Sequence, residues 1–233
     1  PMSNAPQPFP WPDGKDFALS LTMDDARMTQ VDAGFPLFAK HGLRATFYVS
    51  LQPVRKRTAE WLAALRAGHE VGNHSKSHPC SRNYPFNREG ALETLTLAKM
   101  EADLAAADQE LQAMLGIKPD TFAYPCGQTF VGGGERTTSY VPVVARRFLA
   151  GRGFGQDYPN DPAWCDLAHL YGIQCDTMTV TRLQDWLAMA RGQRGWLILV
   201  GHEVAAEGRQ ATSVALISSS RVSAPAFVAA ATG

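Results

Sequence analysis

The chain has 233 residues, of which 45% are hydrophobic and 19% charged, with 22 basic side chains balanced by 22 acidic ones. That neutral balance excludes the basic footprint of a nucleic-acid binder. The length suits one α/β domain with a sizeable core, and no apolar run approaches the roughly 18 residues that a membrane-crossing helix needs.

Residues 1–16 are a Pro-rich polar lead without the charged-then-apolar pattern of a secretory signal, and residues 17–233 read as a single domain. The protein is therefore expected in the cytoplasm, or outside it if a signal was trimmed before this sequence begins. Phe17 to Met23 is an apolar run that stops at Asp24-Asp25, a buried strand with two acids at its carboxyl end. A helix is predicted over Thr29 to Lys40, a strand over Ala45 to Ser50 and a helix over Thr58 to Ala67. His69 to Asn73 is a short strand that delivers His74 and His78, two imidazoles four residues apart. The periodicity from about Glu89 to Leu115 predicts the longest helix, followed by a strand at Thr121 to Tyr124 that breaks at Pro125-Cys126-Gly127. Val131 to Glu135 is glycine-rich without the Lys-Ser or Lys-Thr of a phosphate loop, and reads as a flexible loop. Val141 to Ala150 is predicted helical, Gly151 to Asp166 loop, and Leu170 to Gln174 a short strand. Thr181 and Gln184 fit a capping box that opens a helix to about Arg191. Trp196 to Val200 is an apolar strand that ends at Gly201-His202, and the tail from about residue 208 is Ala- and Ser-rich, with Val214 to Ile217 as one turn of core.

Strands that alternate with helices imply parallel pairing, in an open doubly wound sheet or a barrel, with the site at the carboxyl ends of the strands. Asp24-Asp25, His74 with His78, Tyr124 to Gly127, and His202 all follow predicted strands. Each cluster has a plain structural alternative: a pair of loop histidines, a helix N-cap for the acids, a satisfied buried histidine at 202. Together they match a hydrolytic metal site, with two neutral imidazoles and a carboxylate as ligands, a second carboxylate as base and a distant histidine as acid. The four cysteines, Cys80, Cys126, Cys165 and Cys175, have no C-x-x-C spacing, which argues against a thiolate zinc site and leaves disulfide pairing open.

The series Leu21-Thr22-Met23-Asp24-Asp25, Asn73 to Pro79, Phe122 to Gly127 and Leu199-Val200-Gly201-His202 resembles the ordered motifs of the polysaccharide deacetylase family, the NodB-homology domains of carbohydrate esterase family 4. The resemblance spans about residues 17–204. It implies a distorted (β/α)7-type barrel with parallel strands, whose C-terminal element the tail leaves open. It also implies a divalent metal, zinc first with Co2+, Ni2+ or Mn2+ as alternatives, and an acetylated glycan or small acetylated sugar that loses an N-acetyl or O-acetyl group. Carried over by position, Asp24 is the catalytic base, His202 the acid, and Asp25, His74 and His78 the metal ligands. Tyr124, Pro125, Cys126 and Leu199 would contact substrate, Leu199 by lining the pocket for the acetyl methyl and Cys126 through its N–H as oxyanion donor. The family usually has Phe at Met23, Gly at Ala26 and, in many members, a base-orienting Arg where this chain has Ala123. No fourth motif is assigned, although Asp176 is a candidate partner for His202. Two alternatives are a hydrolase of small non-sugar amides on the same barrel and a non-catalytic sugar- or metal-binding module.

Overall fold

Alternation along the first strand decides which side chains meet the helices and which meet the site. In β1 (Ala18–Asp24) every residue is buried. Leu19, Leu21 and Met23 join the apolar core under the helices, while Ala18, Ser20, Thr22 and Asp24 face the other way. The structure, a computed structural model, describes residues 9–219.

Six more parallel strands extend the sheet: β2 (Thr46–Val49), β3 (Glu70–Asn73), β4 (Thr121–Ala123), β5 (Ala150–Arg152), β6 (Ile173–Gln174) and β7 (Trp196–Gly201). Their order is β5-β4-β3-β2-β1-β7-β6, with β1 paired to both β2 and β7. The sheet curls until its edges nearly meet. Leu170, just before β6, bridges Arg152 in parallel, donating to the Gly151 carbonyl at 2.8 Å and accepting from the Gly153 N–H at 2.8 Å. The result is the distorted, incomplete α/β barrel expected from the resemblance.

Among the described residues seven helices cover the outside: α1 (Phe35–His41), entered through a π-helical turn at Gln30–Gly34, α2 (Leu51–Lys56), α3 (Thr58–Arg66), α4 (Leu97–Leu115), α5 (Val141–Arg147), α6 (Val180–Gln193) and α7 (Val214–Ser219). Leu216 and Ile217 of α7 pack into the core beneath β1 and β7, so the tail does supply a closing element. The remainder of the Ala- and Ser-rich tail lies outside the described residues. No helix among the described residues is long and apolar enough to cross a membrane.

Four local expectations need correction. The long helix starts at Leu97, not Glu89, because the Thr96 side chain caps it by accepting from Lys99 N–H. The residues before it serve as a tether, with Leu92 N–H on the Cys80 carbonyl and the Glu93 carboxylate on Ser81. The cap of α6 is Thr179, which accepts from Arg182 N–H, so the capping box at Thr181 does not form. The glycine-rich loop is partly ordered as an antiparallel ribbon that pairs Phe130–Val131 with Thr138–Ser139. Finally, residues 150–152, read as helix end and loop, are strand β5.

Polar side chains fill the barrel interior. Thr46 and Thr121 donate to the Glu70 carboxylate at 2.7 and 2.8 Å, and burial raises the Glu70 pKa. One layer nearer the carboxyl ends the buried Tyr48 ring lies over Gly72, where a Cβ would sit 2.5 Å from two ring carbons. Gly72→Ala should therefore overpack this layer and lower unfolding free energy by about 2 kcal/mol in a urea titration; an unchanged midpoint would show that Tyr48 can yield.

Candidate active site

The chain turns sharply after β1 because Asp25 and Ala26 both have positive φ, 73° and 54°, and the Asp25 N–H is tied to the Tyr48 carbonyl at 2.9 Å. Consecutive acids therefore diverge, Asp24 into the barrel and Asp25 toward the histidines. Asp25 Oδ1 lies 3.6 Å from His74 Nε2 and 3.4 Å from His78 Nε2. Its other oxygen accepts from Arg27 at 2.9 Å.

His74 Nδ1 donates to the Ala123 carbonyl at 2.9 Å, which leaves Nε2 as its ligand atom. Burial pushes the His74 pKa down to about 4, so the ring is neutral near pH 7, as a metal ligand must be. Burial alone would raise the Asp25 carboxyl. Coulombic attraction to His74, His78 and Arg27 holds it below its usual value instead. The stretch between the histidines is not helical. Ser75 and His78 have positive φ, Ser75 Oγ accepts from the His78 N–H at 2.9 Å, and Asn73 Oδ1 accepts from the Ser75 N–H at 2.6 Å. Asn73 is itself fixed on α4 through the Leu104 carbonyl and Asp108. Two nitrogens and one oxygen converging within 4.8 Å of one another suit a divalent cation of zinc type.

His202 follows β7 across the rim. Its Nδ1 donates to Asp176 Oδ2 at 2.6 Å, and Asp176 Oδ1 accepts from the His202 N–H at 3.0 Å and the Thr212 hydroxyl at 3.2 Å. Burial opposes the charged ring, but the bond to Asp176 and the negative charges of Asp24, Asp176 and Asp25 together outweigh it and the His202 pKa is raised. The Phe154 ring stands edge-on to the imidazole at 5.6 Å. Gln30, fully buried, donates to the carbonyls of Asp24 at 2.6 Å and His202 at 2.7 Å, so one carboxamide ties the ends of β1 and β7 together. Asp24 pairs with Arg152 of β5. Neither Gln30 nor Arg152 was singled out from the sequence.

A sequence model of the polysaccharide deacetylase family matches residues 12–134, more than half of the chain. The chain belongs to the polysaccharide deacetylase family. An uncharacterised Bacillus subtilis protein, YlxY, is 29% identical over 92 residues, which span 40% of this chain and 25% of the relative. A gellan lyase of a Bacillus species is 27% identical over 143 residues, 61% of this chain and 5% of that one. The chain thus spans a quarter or less of the length of these relatives. Among solved structures, a family 4 carbohydrate esterase from Streptomyces lividans in complex with acetate is similar with a TM-score of 0.56 at 19% identity, covering 87% of this chain and 85% of that one. The peptidoglycan deacetylase PdaC from Bacillus subtilis gives 0.55 at 16%, covering 86% and 81%. A Bacillus anthracis pseudoenzyme of the same esterase family gives 0.51 at 17%, covering 81% and 55%.

Within this polysaccharide deacetylase barrel two expected substrate contacts move. Leu199 is fully buried and packs with Leu21, Met23, Phe38 and Ile217 between sheet and helices, because it has the parity of Leu21 rather than of Asp24. The neighbouring Val200 faces the barrel interior, against Gly172 and beside Arg152. Tyr124 has the parity of Phe122 and is likewise fully buried in the outer core, its hydroxyl on the Ala168 carbonyl at 2.6 Å. Pro125 and Cys126 stay on the rim loop, Pro125 buried and Cys126 half-buried with φ 54°.

Cys126 forms a disulfide with Cys80, which joins that loop to the segment just after His78. Cys165 and Cys175 are free thiols. With the bridged cysteines 46 positions apart, the chain-entropy treatment puts the crosslink at about 4 kcal/mol. Urea unfolding with and without a thiol reductant should differ by about that amount; equal midpoints would show that the loops hold each other without it.

Proposed function

We propose that the chain is a metal-dependent hydrolase that removes acetyl groups, as amide or ester, from a carbohydrate polymer or oligosaccharide. One observation carries this reading: a metal-type trio (Asp25, His74, His78), a buried carboxylate (Asp24) and an Asp-paired histidine (His202) share one rim of the barrel. A module that only binds metal or sugar has no need of His202 held by Asp176.

Asp25, His74 and His78 would hold the ion, and a divalent metal bound there supplies Lewis acidity that polarises an acetyl carbonyl and acidifies water. Zinc suits two imidazoles and one carboxylate best. Asp24, fixed inside the barrel, takes the proton from the attacking water as general base. The Cys126 N–H, on its bridged loop, is the assigned donor to the developing oxyanion. His202 carries its second proton on Nε2 while Nδ1–H stays on Asp176, and it delivers that proton to the leaving nitrogen or oxygen. Val200 takes the place of Leu199 as the apolar wall.

Purified protein loaded with zinc or cobalt should release acetate from chitooligosaccharide, peptidoglycan or acetylated xylan, and chelation should abolish that release until metal is restored. Asp24→Asn should lower kcat by about 10²-fold or more while leaving metal content unchanged; wild-type turnover by that variant would sink the base assignment.

The pH dependence has a definite sign. The acid works only while His202 is protonated, and Asp176 raises its pKa, so activity should persist to higher pH than an ordinary histidine allows. Asp176→Asn removes that support and should move the alkaline limb of kcat to lower pH. A limb that stays in place would assign it to another group.

A further inference from the structure

We propose that Arg152 is the positioning residue for the base, holding the Asp24 carboxylate from a neighbouring strand of the barrel. This rests on the reading of Asp24 as general base. Arg152 ends β5, and its register partner on β4 is Ala123. Both therefore face the interior in one layer, and the small Ala123 leaves that layer open for the longer side chain beside it.

The guanidinium is surrounded on every side that the fold defines. Nη2 donates to Asp24 Oδ1 across 128 positions of sequence, and Nη1 donates to the Gly153 carbonyl at 2.9 Å. Its Cζ lies 4.9 Å over the Tyr48 ring, a cation–π contact with no solvent to weaken it. On the fourth side a Cβ at Gly172 would stand 2.6 Å from Arg152 Cδ, so glycine there is what admits the stem. Arg152 has no exposed surface. Asp24 is thus held at both ends, its carbonyl by Gln30 and one carboxylate oxygen by Arg152.

A purely structural role explains this less well. Replacing a buried ion pair by apolar groups is often neutral or stabilising, so a pair kept at the mouth of a barrel is weak evidence of a stability function. A planar, always-charged guanidinium in a rigid cradle is suited to fixing a carboxylate in one orientation. Because Nη2 engages only Oδ1, it leaves Oδ2 as the oxygen that faces the reacting water.

The test uses metal-loaded full chain, with acetate release measured from the glycan and from 4-nitrophenyl acetate, an ester that requires the base but no glycan recognition. Arg152→Ala should lower kcat on both by about 100-fold, leave KM within about twofold, leave metal content unchanged, and regain activity with millimolar guanidinium. Arg152→Gln, which keeps a carboxamide in the same space, carries the same measurements if the alanine variant does not fold. A folded, metal-loaded variant with kcat within about threefold of wild type overturns the proposal. So does a loss of activity that follows loss of metal or of folded protein in both variants. Asp24→Asn, assayed beside them, separates the two readings. Full activity there removes the base assignment itself, whereas an inactive Asp24→Asn beside an unaffected Arg152→Ala removes only the positioning role.

Discussion

A carboxylate buried just inside the mouth of a barrel needs something to replace the water it loses. Asp24 is 3% exposed, and the desolvation cost of such an ion is several kcal/mol before any partner is counted. The Asp24–Arg152 pair answers that constraint, and much of the interior is arranged around it. Tyr48 lies under the guanidinium, and Gly72 is bare so that Tyr48 fits. Gly172 is bare so that the arginine stem passes, and Leu170 bridges back to Arg152 so that the sheet edge carrying it stays in place.

The same constraint separates the two ends of the cleft. Near Asp25 burial lowers the His74 pKa and keeps that ring neutral, whereas at His202 the hydrogen bond to Asp176 and the charges of Asp24, Asp176 and Asp25 together outweigh burial and raise the pKa. One side chain type is thus shifted in opposite directions a few strands apart, and a carboxylate on the second ring N–H contributes to the difference. His74 Nδ1 meets only a backbone carbonyl; His202 Nδ1 meets Asp176. Gln30 then fixes the spacing between Asp24 and His202, because it bonds the main chain of both strand ends and not their side chains.

What could be read in advance followed from locality. Asp24-Asp25 and His202 each close an apolar run, and His74 and His78 follow a short strand, so their placement beyond strand ends needed only the run and its stop. Arg152 was hidden because β5 is three residues long, Ala-Gly-Arg, and has no apolar alternation to mark it as a strand. Leu199 and Tyr124 were misplaced for a different reason. Motif spacing locates a residue along a strand, but the two-residue period assigns it to a face, and by parity with Asp24 the inward residue is Val200. The early start given to α4 came from leucines at 92 and 95 that are buried or half-buried, as a helix stripe would be. Leu92 instead opens a single 3-10 turn and Leu95 is extended, and they pack under the ribbon at Phe130–Val131. The disulfide was beyond reach because Cys80 and Cys126 are brought together only by β3 and β4 being neighbours.

The rim loops are themselves under tension. Asp25, Ala26, Ser75, His78 and Cys126 all have φ between 49° and 73° without being glycine. Each costs on the order of 1 kcal/mol, so the five together cost roughly 5 kcal/mol. That is close to the roughly 4 kcal/mol assigned to the Cys80–Cys126 crosslink, which joins the two loops that carry Ser75, His78 and Cys126. Ala26 keeps its left-handed conformation because the Asp25 N–H is already committed to Tyr48 and the Asp25 carboxylate to Arg27. Strain at the ligands is thus offset by restraints beside them.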